Sequence, residues 1–68
     1  MNKALLRSIM VLFGDTNKTL GEYLGISERS ISSKINENDT EFKQCEISAI
    51  IKRYNLTPEQ VKDIFFNQ

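Results

Sequence analysis

Arg29, Ser32, Ser33, Lys34 and Asn36 bring five hydrogen-bonding side chains into one short stretch, with Ser27 and Glu28 just before it and Asn17 and Lys18 farther upstream. No nucleophile is paired with a base among them. Their chemistry is recognition. An arginine fork matches the O6 and N7 acceptors of guanine, an asparagine matches adenine, and serines bond several bases or phosphate. Asn17 and Lys18, at the start of a helix, suit a phosphate backbone, where free backbone N–H groups and the helix dipole assist. Catalysis is poorly supported. The chain has no histidine, which removes the commonest general base. Its one cysteine, Cys45, allows neither an internal disulfide nor a four-coordinate Cys/His zinc site. No phosphate loop is visible, and no cofactor or small-molecule substrate is implied.

These side chains form a site only if a helix presents them together. With Ile31 at the centre of a buried face and about 100° per residue, Arg29, Ser33 and Asn36 fall on the opposite side. Ser32 and Glu28 lie on one flank, and Lys34 and Ser30 on the other. The residues upstream supply a means of holding that helix. Thr16 caps a helix from Asn17 to Leu24, with Leu20 and Leu24 on one face. Gly25 ends it, and Ile26 plugs the corner. Ser27 restarts the chain as a helix running to about Asn36, with Ile31 and Ile35 as its buried pair. Gly21, lacking a side chain, lets the second helix approach the backbone of the first. Residues 17 to 36 thus read as a helix-turn-helix. In such a unit the second helix, here 28–36, lies in the major groove with its N-terminal part at the base edges.

The remaining pattern is helical too. Leu5, Ile9 and Leu12 make a stripe over Lys3 to Phe13, flanked by Leu6 and Phe13, and Gly14 suits a left-handed stop. Ile47, Ile50, Ile51 and Tyr54 make another over Gln44 to Tyr54, with Asn55 as its stop. Thr57-Pro58-Glu59-Gln60 reads as N-cap, first-position proline and capping box, ahead of the inward-facing Val61, Ile64 and Phe65. Between the third and fourth helices lies the acidic loop Glu37-Asn38-Asp39-Thr40-Glu41. Lys43 stands where a serine or threonine cap is usual, leaving Thr40 or Asp39 to cap instead. The expectation is an all-α fold of five short helices in one compact domain over residues 1–68, the size at which a single thin core forms.

A 40% hydrophobic and 26% charged composition is ordinary for a globular domain. The longest apolar run, Ile9 to Phe13, is far short of the roughly 20 residues a membrane span needs. Lys3 and Arg7 interrupt the N-terminal apolar stretch, unlike a signal peptide. A cytoplasmic location is expected. Net charge is zero, which argues mildly against a nucleic-acid partner. The charge is polarised, however. Lys3, Arg7, Lys18, Arg29 and Lys34 face only Asp15, Glu22 and Glu28 in residues 1–36, whereas acids outnumber bases afterwards.

The segment Leu24-Gly-Ile-Ser-Glu-Arg-Ser-Ile-Ser-Ser-Lys-Ile-Asn36 resembles the recognition segment of the lambda-repressor and Cro-like superfamily. Glu41-Phe42, Glu46-Ile47, Asn55 to Glu59 and Ile64 to Phe66 resemble that family's closing two helices, so the likeness covers nearly the whole chain. It implies a five-helix DNA-binding domain acting as a dimer on a near-palindromic operator, as a small transcriptional regulator of phage or mobile-element type. With no effector domain alongside, occupancy of double-stranded DNA would itself be the mechanism. One departure stands out: related sequences carry glycine and basic residues where this chain has its acidic loop.

Two other readings stand beside this one. The outward face of the third helix, taken alone, is equally a solvated surface, and Glu28 is more often a helix-start carboxylate than a cytosine reader. The same helices also suit a protein-interaction module of antirepressor or antitoxin-like kind, which neutral charge and an acidic loop favour. Cys45 projects off its stripe beside Ala49, as a small tolerated surface residue with no redox role. Met10, Val11 and Phe66 also fall off their stripes. If contiguous they mark an interaction surface, and a homodimer through the C-terminal region near Phe66 is the corresponding expectation.

Overall fold

Five helices form in the order α1 (Lys3–Leu12), α2 (Asn17–Leu24), α3 (Glu28–Ile35), α4 (Gln44–Tyr54) and α5 (Pro58–Phe65). The computed structural model describes residues 1–38 and 40–66, and no strand occurs among them. The described chain fits within 28 × 26 × 21 Å, and no described helix is long and apolar enough to cross a membrane.

The starts follow local side-chain chemistry. The Thr16 hydroxyl accepts from the Thr19 N–H, and the Thr19 hydroxyl accepts from the Thr16 N–H at 2.8 Å. Ser27 accepts from the Ser30 N–H. Thr57 and Gln60 close a reciprocal box around Pro58. α4 is capped differently from expectation. Lys43 is its N-cap residue, and the Glu46 carboxylate accepts the Lys43 N–H at 2.8 Å. Neither Thr40 nor any other side chain makes a cap bond to the first-turn N–H groups among the described residues, and the Glu46 bond to Lys43 N–H is the only side-chain support at this helix start; Asp39 lies outside the described residues.

Four helices end in one way. A residue with left-handed φ follows (Gly14, Gly25, Glu37 or Asn55), and the next N–H reaches back to a carbonyl in the last turn. Those bonds are Asp15 to Met10, Ile26 to Gly21, Asn38 to Ser33 and Leu56 to Ile51, at 2.7–3.0 Å. The pattern satisfies carbonyls left over at a helix end and reverses the chain abruptly. Glu37 is the unexpected member, because a side chain with a Cβ is strained there by roughly 1–2 kcal/mol.

Every helix contributes to one core: Leu6, Ile9 and Met10 of α1, Leu20 of α2, Ile31 and Ile35 of α3, Ile50 and Tyr54 of α4, and Ile64 of α5. Phe42 and Leu56 join from the connections, Phe42 edge-on to Phe65 at 6.5 Å. Each fully buried aliphatic side chain is worth about 1.5–3 kcal/mol. The α1 stripe differs from the expected one. Leu6, Ile9 and Met10 are buried, while Val11, Leu12 and Phe13 are exposed. The inward face of α1 is centred on Leu6, Ile9 and Met10, which at about 100° per residue places Val11 and Leu12 on the outward side. Leu24 is half-buried, and α3 stops at Ile35 with Asn36 as its cap.

Candidate nucleic-acid interface

α2 and α3 make the most extensive helix–helix packing in the molecule, and the backbone between them sets how. Gly25 takes φ 77°, and Ile26 and Ser27 complete the turn. A Cβ on Gly21 would lie 2.7 Å from the Ile26 carbonyl oxygen and 3.3 Å from Ile31 Cγ1. Gly21 therefore makes room chiefly for the turn's backbone, and for α3 through Ile31.

Against this mount the nominated residues divide. Glu28, Arg29 and Asn36 are exposed on α3, and Lys18 is exposed on the first turn of α2. Arg29 and Lys18 belong to no ion pair among the described residues. Asn17, Ser32 and Ser33 are half-buried. Ser33 is partly covered because the chain doubles back after α3, Asn38 N–H bonding the Ser33 carbonyl at 2.9 Å. Ser27 is exposed, but its hydroxyl accepts from the Ser30 N–H and donates to the Ser30 hydroxyl, so it serves the helix start first.

Lys34 is placed otherwise than the projection indicated. It is only 8% exposed. Its Nζ donates to Glu46 Oε1 at 3.1 Å and to the Glu41 carbonyl at 3.2 Å. Its flank of α3 faces α4, and the long aliphatic stem carries the ammonium to Glu46. This withdraws Lys34 from the outward face and ties the end of α3 to the start of α4. Burial alone pushes the Glu46 carboxyl upward, but the Lys43 N–H bond and the Lys34 ammonium outweigh it and hold the group below its usual range.

A second constellation had no counterpart in the sequence pattern. Asp15, in the α1–α2 connection, is 9% exposed. It accepts from Arg53 Nε and Nη2 at 2.7 Å each, from the Tyr54 hydroxyl at 2.6 Å and from the Thr19 hydroxyl at 2.8 Å. The Arg53 hydrogen bonds, reinforced by those from Tyr54 and Thr19, hold the Asp15 carboxyl far below the usual range despite burial. The same bonds drive Arg53 upward, and burial followed by the Asp15 contact drives Tyr54 upward. The Arg53 guanidinium also lies 4.5 Å over the Tyr23 ring of α2. Asp15 and Arg53 therefore tie the start of α2, through Asp15 and Thr19, and its last turn, through Tyr23, to the end of α4. They stand 38 residues apart, a separation that helical periodicity does not reveal; the only local hint was an acid just before the Thr16 cap.

Electrostatically the outward surface is sparse. Arg29 and Lys18 provide its positive charge, with Glu22 and Glu28 exposed on the same helices and Glu37 and Glu41 exposed after α3. Such a surface suits a few directed hydrogen bonds better than a general grip on polyanions. No known family model, curated protein or solved structure matches the chain.

Proposed function

We propose that the chain is a sequence-specific double-stranded DNA-binding protein, a small transcriptional regulator of lambda-repressor and Cro-like kind. It would work by occupying its operator in the cytoplasm of a bacterial host. In this reading α2 and α3 are a helix-turn-helix and α3 enters the major groove. The observation that carries it is the tight α2–turn–α3 joint at Gly21, with an exposed polar face on α3 headed by Arg29. A rigid joint is what an eight-residue helix needs if it is to present side chains to base edges in fixed register. Arg29 is assigned the guanine contact, Asn36 and the half-buried Ser32 and Ser33 neighbouring bases or phosphates, and Asn17 and Lys18 the backbone. Lys34 is left out, because its ammonium is occupied by Glu46.

Selection of binding sites from random duplex DNA tests this reading. A consensus is expected, with affinity falling as salt rises. Arg29→Ala is expected to cost about 1–3 kcal/mol and to relax preference at one guanine. An unchanged consensus removes Arg29 from the interface, and no consensus at low salt sinks the reading. The withdrawn Lys34 and the exposed Glu37 and Glu41 favour a second reading, the protein-interaction module. Failure of the selection would promote it.

A further inference from the structure

The outward side of α1 carries six exposed residues in two rows, Lys3–Arg7–Val11 and Ala4–Ser8–Leu12. Residues three or four apart on a helix are neighbours, so each row is continuous, and Ala4–Arg7 and Ser8–Val11 join the two. The face is graded along its length. Its first half is basic, through Lys3 and Arg7, and its end is apolar, with Val11 74% and Leu12 80% exposed. Phe13 turns elsewhere, onto the Tyr54 ring at 5.1 Å. We infer that this face of α1 is the docking site for an acidic amphipathic helix of another protein.

Three observations select that occupant. The first is the placement of charge. Lys3 stands in the first turn, at the positive end of the helix dipole, and no acidic residue offsets it there. Arg7 is its like-charged neighbour four residues on, and neither belongs to an ion pair among the described residues. Both relations disfavour α1 on its own, and carboxylates laid across this end reverse both. The second is the apolar end. A phosphate backbone would use the two cations but leave Val11 and Leu12 in water, so the occupant needs apolar groups as well. A bilayer supplies both, yet a helix lying on one separates charged and apolar residues around its axis. Here they follow one another along it. The third is the middle of the face. Ala4 and Ser8 are small, and the Ser8 hydroxyl already donates to the Leu5 carbonyl at 2.8 Å. A second helix can therefore pack closely without stranding a polar group.

The apolar residues that fell off their stripes in the sequence thus separate. Met10 is buried, and Val11 belongs to this face. Phe66 lies by the start of α1, where Asn2 N–H bonds the Ile64 carbonyl at 2.7 Å. None of the residues assigned to DNA is on α1, so the inference does not rest on the DNA reading. A chain holding duplex through α3 would keep this face of α1 for a second protein.

The probe is an acetylated, helix-forming peptide of about four turns. One half of its apolar face carries glutamates four apart and the other half leucines four apart. Titrated into the isotope-labelled full chain under reducing conditions, it is expected to shift the α1 amides in NMR spectra with a Kd of about 100 μM. Lys3→Glu with Arg7→Glu alters only exposed positions. This double variant is expected to melt no lower than the wild type and to bind the peptide at least about 30-fold more weakly. A peptide with lysine in place of glutamate should do the converse, ignoring the wild type and binding the double variant. Leu12→Ser should weaken binding about fivefold, and Arg29→Glu should bind like the wild type. No binding at about 1 mM peptide overturns the inference. So does unchanged binding by the double variant, or a lower melt, which would give Lys3 and Arg7 to the fold. Duplex DNA or anionic vesicles that shift the α1 amides at lower concentration than the peptide also overturn it. A chain that binds the peptide but selects no DNA keeps this inference and overturns the DNA reading; one that selects DNA but ignores the peptide does the reverse.

Discussion

Replacing Asp15 with alanine removes the one acceptor shared by Arg53, Tyr54 and Thr19. Breaking a buried ion pair from one side costs about 3–5 kcal/mol. Arg53 keeps a side chain that is 29% exposed, so water takes over part of its solvation. The Tyr54 hydroxyl is buried and loses its partner, a penalty of about 1–3 kcal/mol. A net loss of about 3 kcal/mol is expected, against a total stability of roughly 3–10 kcal/mol for a chain this long. Tm should fall by about 12–24 °C in a circular dichroism melt. Asp15→Asn keeps a carbonyl acceptor and should lose about half as much. The acid limb adds a second reading. The native Asp15 pKa lies below its unfolded value, so its contribution is complete above about pH 5 and disappears as pH falls through 4 and below. Asp15→Asn should flatten that limb relative to the wild type. A double-mutant cycle with Arg53→Ala should show coupling of at least about 1 kcal/mol. A loss for Asp15→Ala below about 0.5 kcal/mol, or additive single variants, would refute the clamp.

Gly21→Ala would ordinarily stabilise a helix by about 1 kcal/mol, but here the new methyl meets the Ile26 carbonyl oxygen at 2.7 Å. A net destabilisation of about 1–3 kcal/mol by urea unfolding is expected, with DNA selectivity lost before folding is. Lys34→Met strands the Glu46 carboxylate and should cost about 3–5 kcal/mol. Adding Glu46→Gln should restore most of it, since the amide still accepts from the Lys43 N–H. If the chain binds duplex DNA as proposed, Lys34→Met should leave the salt dependence of binding unchanged, whereas loss of a phosphate contact would lower the slope by about 0.9.

The parts of the fold legible in the sequence are those encoded within a few residues. Thr16, Ser27, Thr57 with Pro58, Gly25 and Asn55 mark starts and stops through local hydrogen bonds and φ preference, and the helices begin and end within a residue of those marks. Glu37 is illegible in the sequence as a helix terminator because nothing in its type favours a left-handed φ. The inward stripe of α1 is ambiguous from the sequence, because Leu5, Ile9, Leu12 and Leu6, Ile9, Met10 are both helical stripes. Which one faces inward depends on where the other helices sit. At the candidate site, exposure of Arg29 and Asn36 followed from the period of α3, but the burial of Lys34 depended on Glu46 in another helix. The Asp15 clamp and the Phe13–Tyr54 contact are long-range in the same sense.

The internal use of Lys34 has a consequence for how such a protein would find its target. A chromosome offers roughly a million to a billion competing non-operator positions, and residence on them is governed by how many phosphates a protein neutralises. By tying its ammonium to Glu46 and the Glu41 carbonyl, the chain gives up one of the few cations near α3. It would then slide little and dissociate quickly from unrelated duplex, so that most copies stay free to search. Discrimination would come from rejecting wrong sites through brief visits, with less help from tight holding of the right one.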